Sequence, residues 1–320
     1  MASDAHHKRP LTWSSSVTFT LTHDCPWHCA YCGFRTDREG LISEEEVDRL
    51  IAVAMAQGAK EALLISGEHP GTMPHIRKEL AARGFGDFWD FAIHVARRVL
   101  EAGLLPHGNY GAIPEPVLRR LRPVHVSMGV MLENVEDLPE VAPEKKAAGR
   151  LATLAAAGRC RIPFTSGILI GLGEGPDSRV RSLEALAALH RKYGHLQEIL
   201  IQNYVPNNGS AARLAKVPLG LDEYIRLIEV WRGLCPDVPV QIPPNLNPCW
   251  RELIPWADDF GGISTERDEV NPQSPWRAAE AYRHAAEAAG RELRERLAVY
   301  PRFIDPVWLD GEMLRAVRES

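Results

Sequence analysis

The chain has 320 residues, 45% of them hydrophobic and 25% charged, with a formal net charge of −5. That length buries a sizeable core, and the acidic balance excludes a protein built around a basic face for nucleic acid or a membrane surface. No apolar run is long enough to span a bilayer and MASDAHHKRPLTW at the start has no apolar signal core, so the expected setting is the cytoplasm, where thiols stay reduced.

Short β-branched runs alternate with longer amphipathic segments. SVTFTLT (residues 16–22) sets Val17, Phe19 and Leu21 against three threonines and is expected as the first strand. Ser43 with Glu46 three residues on is a capping box, opening a helix that runs to about residue 58. EALLISG (61–67) is the second strand; a loop, a helix over about 87–102 and a third strand in LLPHGNYG (104–111) follow. PEPVLRRL (114–121) is a short helix with proline at its start. HVSMGVMLE (125–133), PFTSGILIG (163–171) and QEILIQNYV (197–205) read as strands four to six, with helices near 145–157, 177–193 and 221–234. VPVQIPPNL (238–246) is the last strand-like run, with prolines that suit an edge or a frayed end, and 275–297 reads as a helix.

Six β-then-α units imply parallel strands joined by right-handed crossovers. The expected α/β fold is a partial or near-complete TIM-like barrel of about six strands, with functional groups after the strands' C-terminal ends; an open doubly wound sheet is the alternative. Thr18, Thr20, Gln202 and Asn203 within strands favour a barrel with a wet, ligand-holding lumen. A single domain over 1–320 is expected, with a barrel core at about 16–235 and a C-terminal extension at about 236–320.

DCPWHCAYCGF (24–34) places Cys25, Cys29 and Cys32, three of the six cysteines, in the loop after the first strand. In a reducing compartment such clustering points to metal or catalysis rather than disulfides. Three thiolates hold three corners of a [4Fe–4S] cube and leave one iron open, so that a small molecule with an amine and a carboxylate can chelate it. The rival is structural zinc with His23 or His28 as fourth ligand, but no second Cys-x₂-Cys knuckle exists. Cys160, Cys235 and Cys249 are scattered and read as small buried hydrophobes.

Cys-x₃-Cys-x₂-Cys after the first strand of a β/α barrel resembles the radical S-adenosylmethionine (SAM) enzymes. The resemblance implies a [4Fe–4S] cluster on Cys25, Cys29 and Cys32, SAM on the open iron, and Tyr31 against its adenine. Ser66, Gly67 and Glu68 resemble the motif that receives the methionine amino group; Gly171 and Glu174, in GILIGLGE, match a Gly-x-Ile-x-Gly-x-x-Glu pattern; Glu133 stands as a candidate for the ribose. More narrowly, GLLPHGNYG, HVSMGVMLE, QIPPNLNP, DDFGGIS, VNPQSPW and ERLAVYPRFI resemble the ring-closing enzymes of deazaflavin (coenzyme F420) biosynthesis, over nearly the whole chain. That resemblance implies a substrate made by a second radical SAM enzyme, which joins a tyrosine-derived group to 5-amino-6-(D-ribitylamino)uracil, and a reductant for the cluster. A 5′-deoxyadenosyl radical takes a hydrogen atom from this adduct, the central ring closes and ammonia leaves.

His107, Asn109, Gln202, Asn203, Asn245 and Asn247 lie at strand ends and form a candidate polar pocket for such a substrate. Four stretches depart from the family pattern: Pro26-Trp27-His28, His69-Pro70-Gly71, NNGS at 207–210, and 264–269. These leave the cofactor motifs intact and bear on the substrate. Two alternatives stand beside this reading: a sibling radical SAM enzyme that closes a ring on another tyrosine- or pyrimidine-derived compound, and a zinc-stabilised ligand-binding barrel.

Overall fold

The computed structural model describes residues 10–36, 39–206, 219–264 and 268–320. In chain order its elements are β1 (Leu11–Thr22), α1 (Glu44–Gln57), β2 (Glu61–Ser66), α2 (Pro74–Ala82), α3 (Phe88–Glu101), β3 (Leu105–Asn109), α4 (Glu115–Leu121), β4 (Ser127–Gly129), α5 (Ala147–Arg159), β5 (Phe164–Ile170), α6 (Pro176–Tyr193), β6 (Leu196–Asn203), α7 (Leu221–Leu234), β7 (Val240–Gln241), β8 (Asp259–Ile263), α8 (Ala279–Ala288), β9 (Leu293–Glu295) and α9 (Gly311–Glu319). Strands β1 to β8 pair in ring order, all parallel, and β8 returns to β1, which closes a barrel.

The local reasons are those of the sequence. Ser43 Oγ accepts the Glu46 N–H at 3.2 Å and starts α1, whose Val47, Leu50 and Ala54 are buried on one face. Asp87 caps α3 in the same way through the Asp90 N–H at 2.8 Å. Alternation along β1 sends Val17, Phe19 and Leu21 into the apolar layer shared with the helices.

The structure corrects the expected layout in several places. The wall has eight strands where about six were expected. VPVQIPPNL is no edge: it supplies β7 between β6 and β8, two residues long because Pro243 and Pro244 lack the N–H a longer ladder needs. DDFGGIS supplies β8, so the barrel runs from Leu11 to Ile263 rather than over 16–235. The loop expected after β2 holds α2, with Pro74 in its first turn and Ile76 and Leu80 buried. The helix expected over 275–297 stops at Ala288; Gly290 then takes a left-handed φ of +72° and the chain enters β9, which pairs with Leu11–Trp13.

Beyond β9 the chain covers the N-terminal end of the barrel. Leu105 and Val126, at the starts of β3 and β4, pack with Val299, Phe303, Leu309, Met313, Leu314 and Val317. Burying Phe303 alone stabilises this cover by about 2–3 kcal/mol. The lumen is therefore floored, and what enters it comes from the other end. Among the described residues no helix is long and apolar enough to cross a membrane.

Candidate active site

The loop after β1 is anchored before it reaches its first cysteine. Asp24 Oδ2 accepts from the Gly40 N–H at 2.7 Å and the Thr22 hydroxyl at 3.1 Å, and Oδ1 faces His75 Nε2 at 2.9 Å. His23 Nδ1 donates to the Phe34 carbonyl at 2.8 Å and ties the two ends of the loop together. The Cys32 N–H donates to the Cys29 carbonyl at 3.2 Å, and Ala30 N–H to Val141 O at 2.7 Å. Cys25, Cys29 and Cys32 are free, half-buried, and all line one cavity of about 850 Å³.

Burial pushes the Cys29 thiol up to about 12 and that of Cys32 up as well, against the opposing pull of Lys145. Thiols held that high ionise when a metal takes them. The donor set fits an iron–sulfur cube, which spreads three thiolates over three irons. Among the described residues no three Cys, His, Asp or Glu side chains converge as a single ion requires. The two histidines considered for zinc are engaged elsewhere: His23 on Phe34, and His28, largely exposed, beside Glu144 at 3.8 Å.

One side of the cavity carries a ladder of buried charges. Tyr31 Oη donates to Glu133 Oε2, while Lys145 Nζ donates to Glu133 Oε1 and to Tyr31 Oη, each at 2.7 Å. Arg150 pairs with Glu68 and also donates to Met131 O at 2.7 Å; Glu68 Oε2 accepts from the Ala112 N–H at 3.2 Å. Burial raises the Glu133 carboxyl, but Lys145 and Arg150 outweigh it and hold the group below its ordinary range. Tyr31 packs against the small apolar cluster of Val141, Leu169 and Leu172, and Leu169 lines the cavity.

Ser66, Gly67, Glu68, Glu133, His107, Asn109, Gln202, Asn203 and Asn245 all line this same cavity. Three of the expected residues do not. Glu174 is turned inward as a local cap, accepting from Gly171 N–H at 2.8 Å, Leu172 N–H at 2.7 Å and Arg179 Nε at 2.7 Å. Gly171, at φ +93°, makes the turn that this carboxylate fastens, so the two residues shape the rim and bring Leu169 to the lumen. Asn247 caps its own turn by accepting from Cys249 N–H at 2.8 Å. Asn203 and Asn245 donate to Leu246 O and to Asp268 Oδ2, both at 2.8 Å, while their Oδ1 atoms are buried without a partner among the described residues. Of the threonines expected in a wet lumen, Thr18 lines it, whereas the Thr20 hydroxyl is buried without a partner among the described residues.

Sequence reasoning missed Lys145, Arg150 and the whole floor. Arg150 and Thr153 sit on the buried stripe of α5, and a charge on an apolar stripe was the signal available. At the floor, Arg296 reaches up from the residue after β9 to donate to Asp259 at 2.6 and 2.8 Å and to Glu198 at 3.1 Å; Tyr300 donates to Glu198 at 2.9 Å. Glu61 also lines the floor and accepts from the Ser16 hydroxyl at 3.3 Å.

Three carboxyls thus face one guanidinium. Burial pushes Glu198 up to about 7, and Glu61 upward too, despite Arg296. The folded protein keeps a proton there that the unfolded chain releases above its ordinary carboxyl range. Stability therefore falls as pH rises from about 4.5 to 7, by on the order of 2–3 kcal/mol. Urea midpoints at pH 5 and pH 8 check this: Glu198→Gln is expected to remove most of the difference, and an undiminished slope refutes the assignment.

Two of the departures from the family pattern meet at the mouth, where the Trp27 and His69 rings pack edge to face with centroids 5.4 Å apart. Residues 207–210 and 265–267 lie outside the described residues.

Comparison with known proteins agrees with this geometry. The family model of the Radical SAM superfamily matches residues 19–186. A 7,8-didemethyl-8-hydroxy-5-deazariboflavin synthase of Methanoculleus marisnigri is 42% identical over 93% of this chain and 91% of its own length. One from Methanothermobacter thermautotrophicus is 38% identical over 97% of each. Among solved structures, HydG, a maturase of the [FeFe]-hydrogenase, superposes with a TM-score of 0.72 at 16% identity, covering 97% of this chain and 77% of its own. Methylornithine synthase (PylB) gives a TM-score of 0.67 at 16% identity, covering 89% and 84%. These two likenesses speak to the fold.

Proposed function

We infer the chemistry from the premise that this chain belongs to the radical SAM superfamily and, within it, to the 7,8-didemethyl-8-hydroxy-5-deazariboflavin (FO) synthases. It is an enzyme of deazaflavin biosynthesis that uses a [4Fe–4S] cluster and SAM, with a small-molecule substrate and a reductant. When bound, the two cofactors supply the radical that withdraws one hydrogen atom from the substrate.

The assignment of residues is our proposal. Cys25, Cys29 and Cys32 hold the cluster. Tyr31, Ser66, Gly67, Glu68 and Glu133 hold SAM with Leu169 of the β5 rim, and Lys145 and Arg150 aim the two carboxylates. His107, Asn109, Gln202, Asn203 and Asn245 face the tyrosine-derived adduct of 5-amino-6-(D-ribitylamino)uracil, whose ring closes with loss of ammonia. Gly171, Glu174 and Asn247 shape the rim from behind. A second radical SAM enzyme supplies the adduct, the setting is the cytoplasm, and the chain works as one domain because residues 293–320 complete the barrel's floor.

The observation that supports this reading is that the thiol loop, the charge ladder and the polar wall open into one lumen closed at its far end. A reactive carbon radical needs such enclosure, because water and stray C–H bonds compete for it. The test is turnover under anaerobic conditions with iron, sulfide, reductant, SAM and the adduct. Fluorescent FO is expected, together with 5′-deoxyadenosine. Release of 5′-deoxyadenosine with the adduct unchanged counts against the substrate and favours the sibling enzyme.

A further inference from the structure

The imidazole of His107 is held in one tautomer by groups that have no freedom to do otherwise. Its Nδ1 lies 2.7 Å from Ser127 Oγ, and Ser127 Oγ donates its single proton to the Ala298 carbonyl at 2.6 Å. Ser127 therefore has only lone pairs to offer the ring, so Nδ1 carries the hydrogen. Nε2 is left with a lone pair, makes no hydrogen bond among the described residues, and sits on the cavity wall over Gly129. Burial, and then the Arg296 guanidinium, push the ring down to about 3, which keeps it neutral. Gln202 and Gln241 line the same lumen with side-chain amides that make no hydrogen bond among the described residues.

We propose that His107 is a specificity-determining acceptor: its Nε2, oriented by Ser127 and the carbonyl of Ala298, takes a hydrogen bond from an N–H or O–H of the bound substrate. The chemical class selected is a polar heterocycle or polyol that presents a donor there, flanked by groups that pair with primary amides. A ligand presenting a lone pair at that point meets Nε2 unpaired and is rejected. Ser127 is a positioning residue, and the last part of the chain, through Ala298, helps to set what the wall reads.

The inference rests on the functional reading above only in taking the adduct as the probe. Two near-isosteric variants of the holoenzyme separate the roles. His107→Asn keeps an amide near Nδ1 and the contact to Ser127 but removes the acceptor; His107→Gln places an amide where Nε2 was. The asparagine variant is expected to raise the KM for the adduct about 10- to 100-fold, and the glutamine variant no more than about threefold. An unchanged KM in the asparagine variant overturns the proposal. So does equal loss in both, which is how a purely structural histidine behaves. Nitrogen-15 shifts of histidine-labelled holoenzyme, with the His107→Gln spectrum to assign the signal, give a reading free of the substrate. A hydrogen on Nδ1 and a lone pair on Nε2 are expected, with mixed tautomers in Ser127→Ala; an Nε2–H ring in the wild type refutes it. Should the wild type turn over no adduct, the functional reading falls and the nitrogen-15 result alone decides.

Discussion

Cys29→Ala is expected to give a folded, colourless protein that cleaves no SAM. Cys29 lies in a half-buried loop whose shape rests on backbone bonds and on His23 and Asp24, so truncating its side chain costs about 1 kcal/mol or less. The chemical loss is of another order. Two thiolates hold two corners of a cube, and a cluster short of a corner binds weakly and does not present one open iron. Iron and sulfide counts after anaerobic reconstitution, visible absorbance and chromatography of 5′-deoxyadenosine check this together. A variant that still cleaves SAM at the wild-type rate refutes the cysteine assignment.

Gly67→Ala is expected to have an effect nearly as large, although residue 67 donates nothing to the metal. A methyl there runs into the backbone carbonyl of Asp24 and comes within 2.7 Å of Cys25 Cβ. Asp24 has little room to give, since Thr22, Gly40 and His75 hold its side chain. Cys25 is the part that moves, and the overpacking costs about 1–3 kcal/mol. Iron incorporation should drop at least tenfold and the melting temperature by several degrees. Gly233→Ala, with nothing among the described residues within 4 Å of the added carbon in α7, is the control and should bind iron normally and be stabler by up to about 1 kcal/mol. Equal iron in Gly67→Ala and wild type argues that the loop adapts.

The parts of this site that follow single strands in the chain were legible in the sequence. The thiol loop after β1, Glu68 after β2, Glu133 after β4 and the amides at the end of β6 each carry a local signature at a strand end, where barrel chemistry gathers. Residues whose meaning depends on distant partners were not legible. Arg296 looks like one more arginine in a charged stretch, and only the closed barrel brings it to Glu198 and Asp259. Lys145 beside Lys146 reads as a solvated pair, yet one is buried on Glu133 and the other exposed near Asp137. Glu174 shows the converse: it matched a motif, and the three donors around it show that it serves the turn. The prolines around β7 made a wall strand read as an edge, and β8 escaped because its glycine-rich run carries almost no periodicity.

The seam of the barrel has a bearing on how the molecule is born. β1 pairs on one side with β2, its near neighbour in the chain, yet its other edge belongs to β8, with Thr12 bonded to Asp258 and Asp259, and to β9, with Ser15 reaching Glu295. Contacts of such sequence separation form slowly, since long loops must close before they reward the chain. A ribosome will have released most of the polypeptide before that other edge can find its neighbours. Until then one edge of the growing sheet stands bare, and the nascent chain depends on its helices, or on chaperones, to keep that edge from pairing with a stranger.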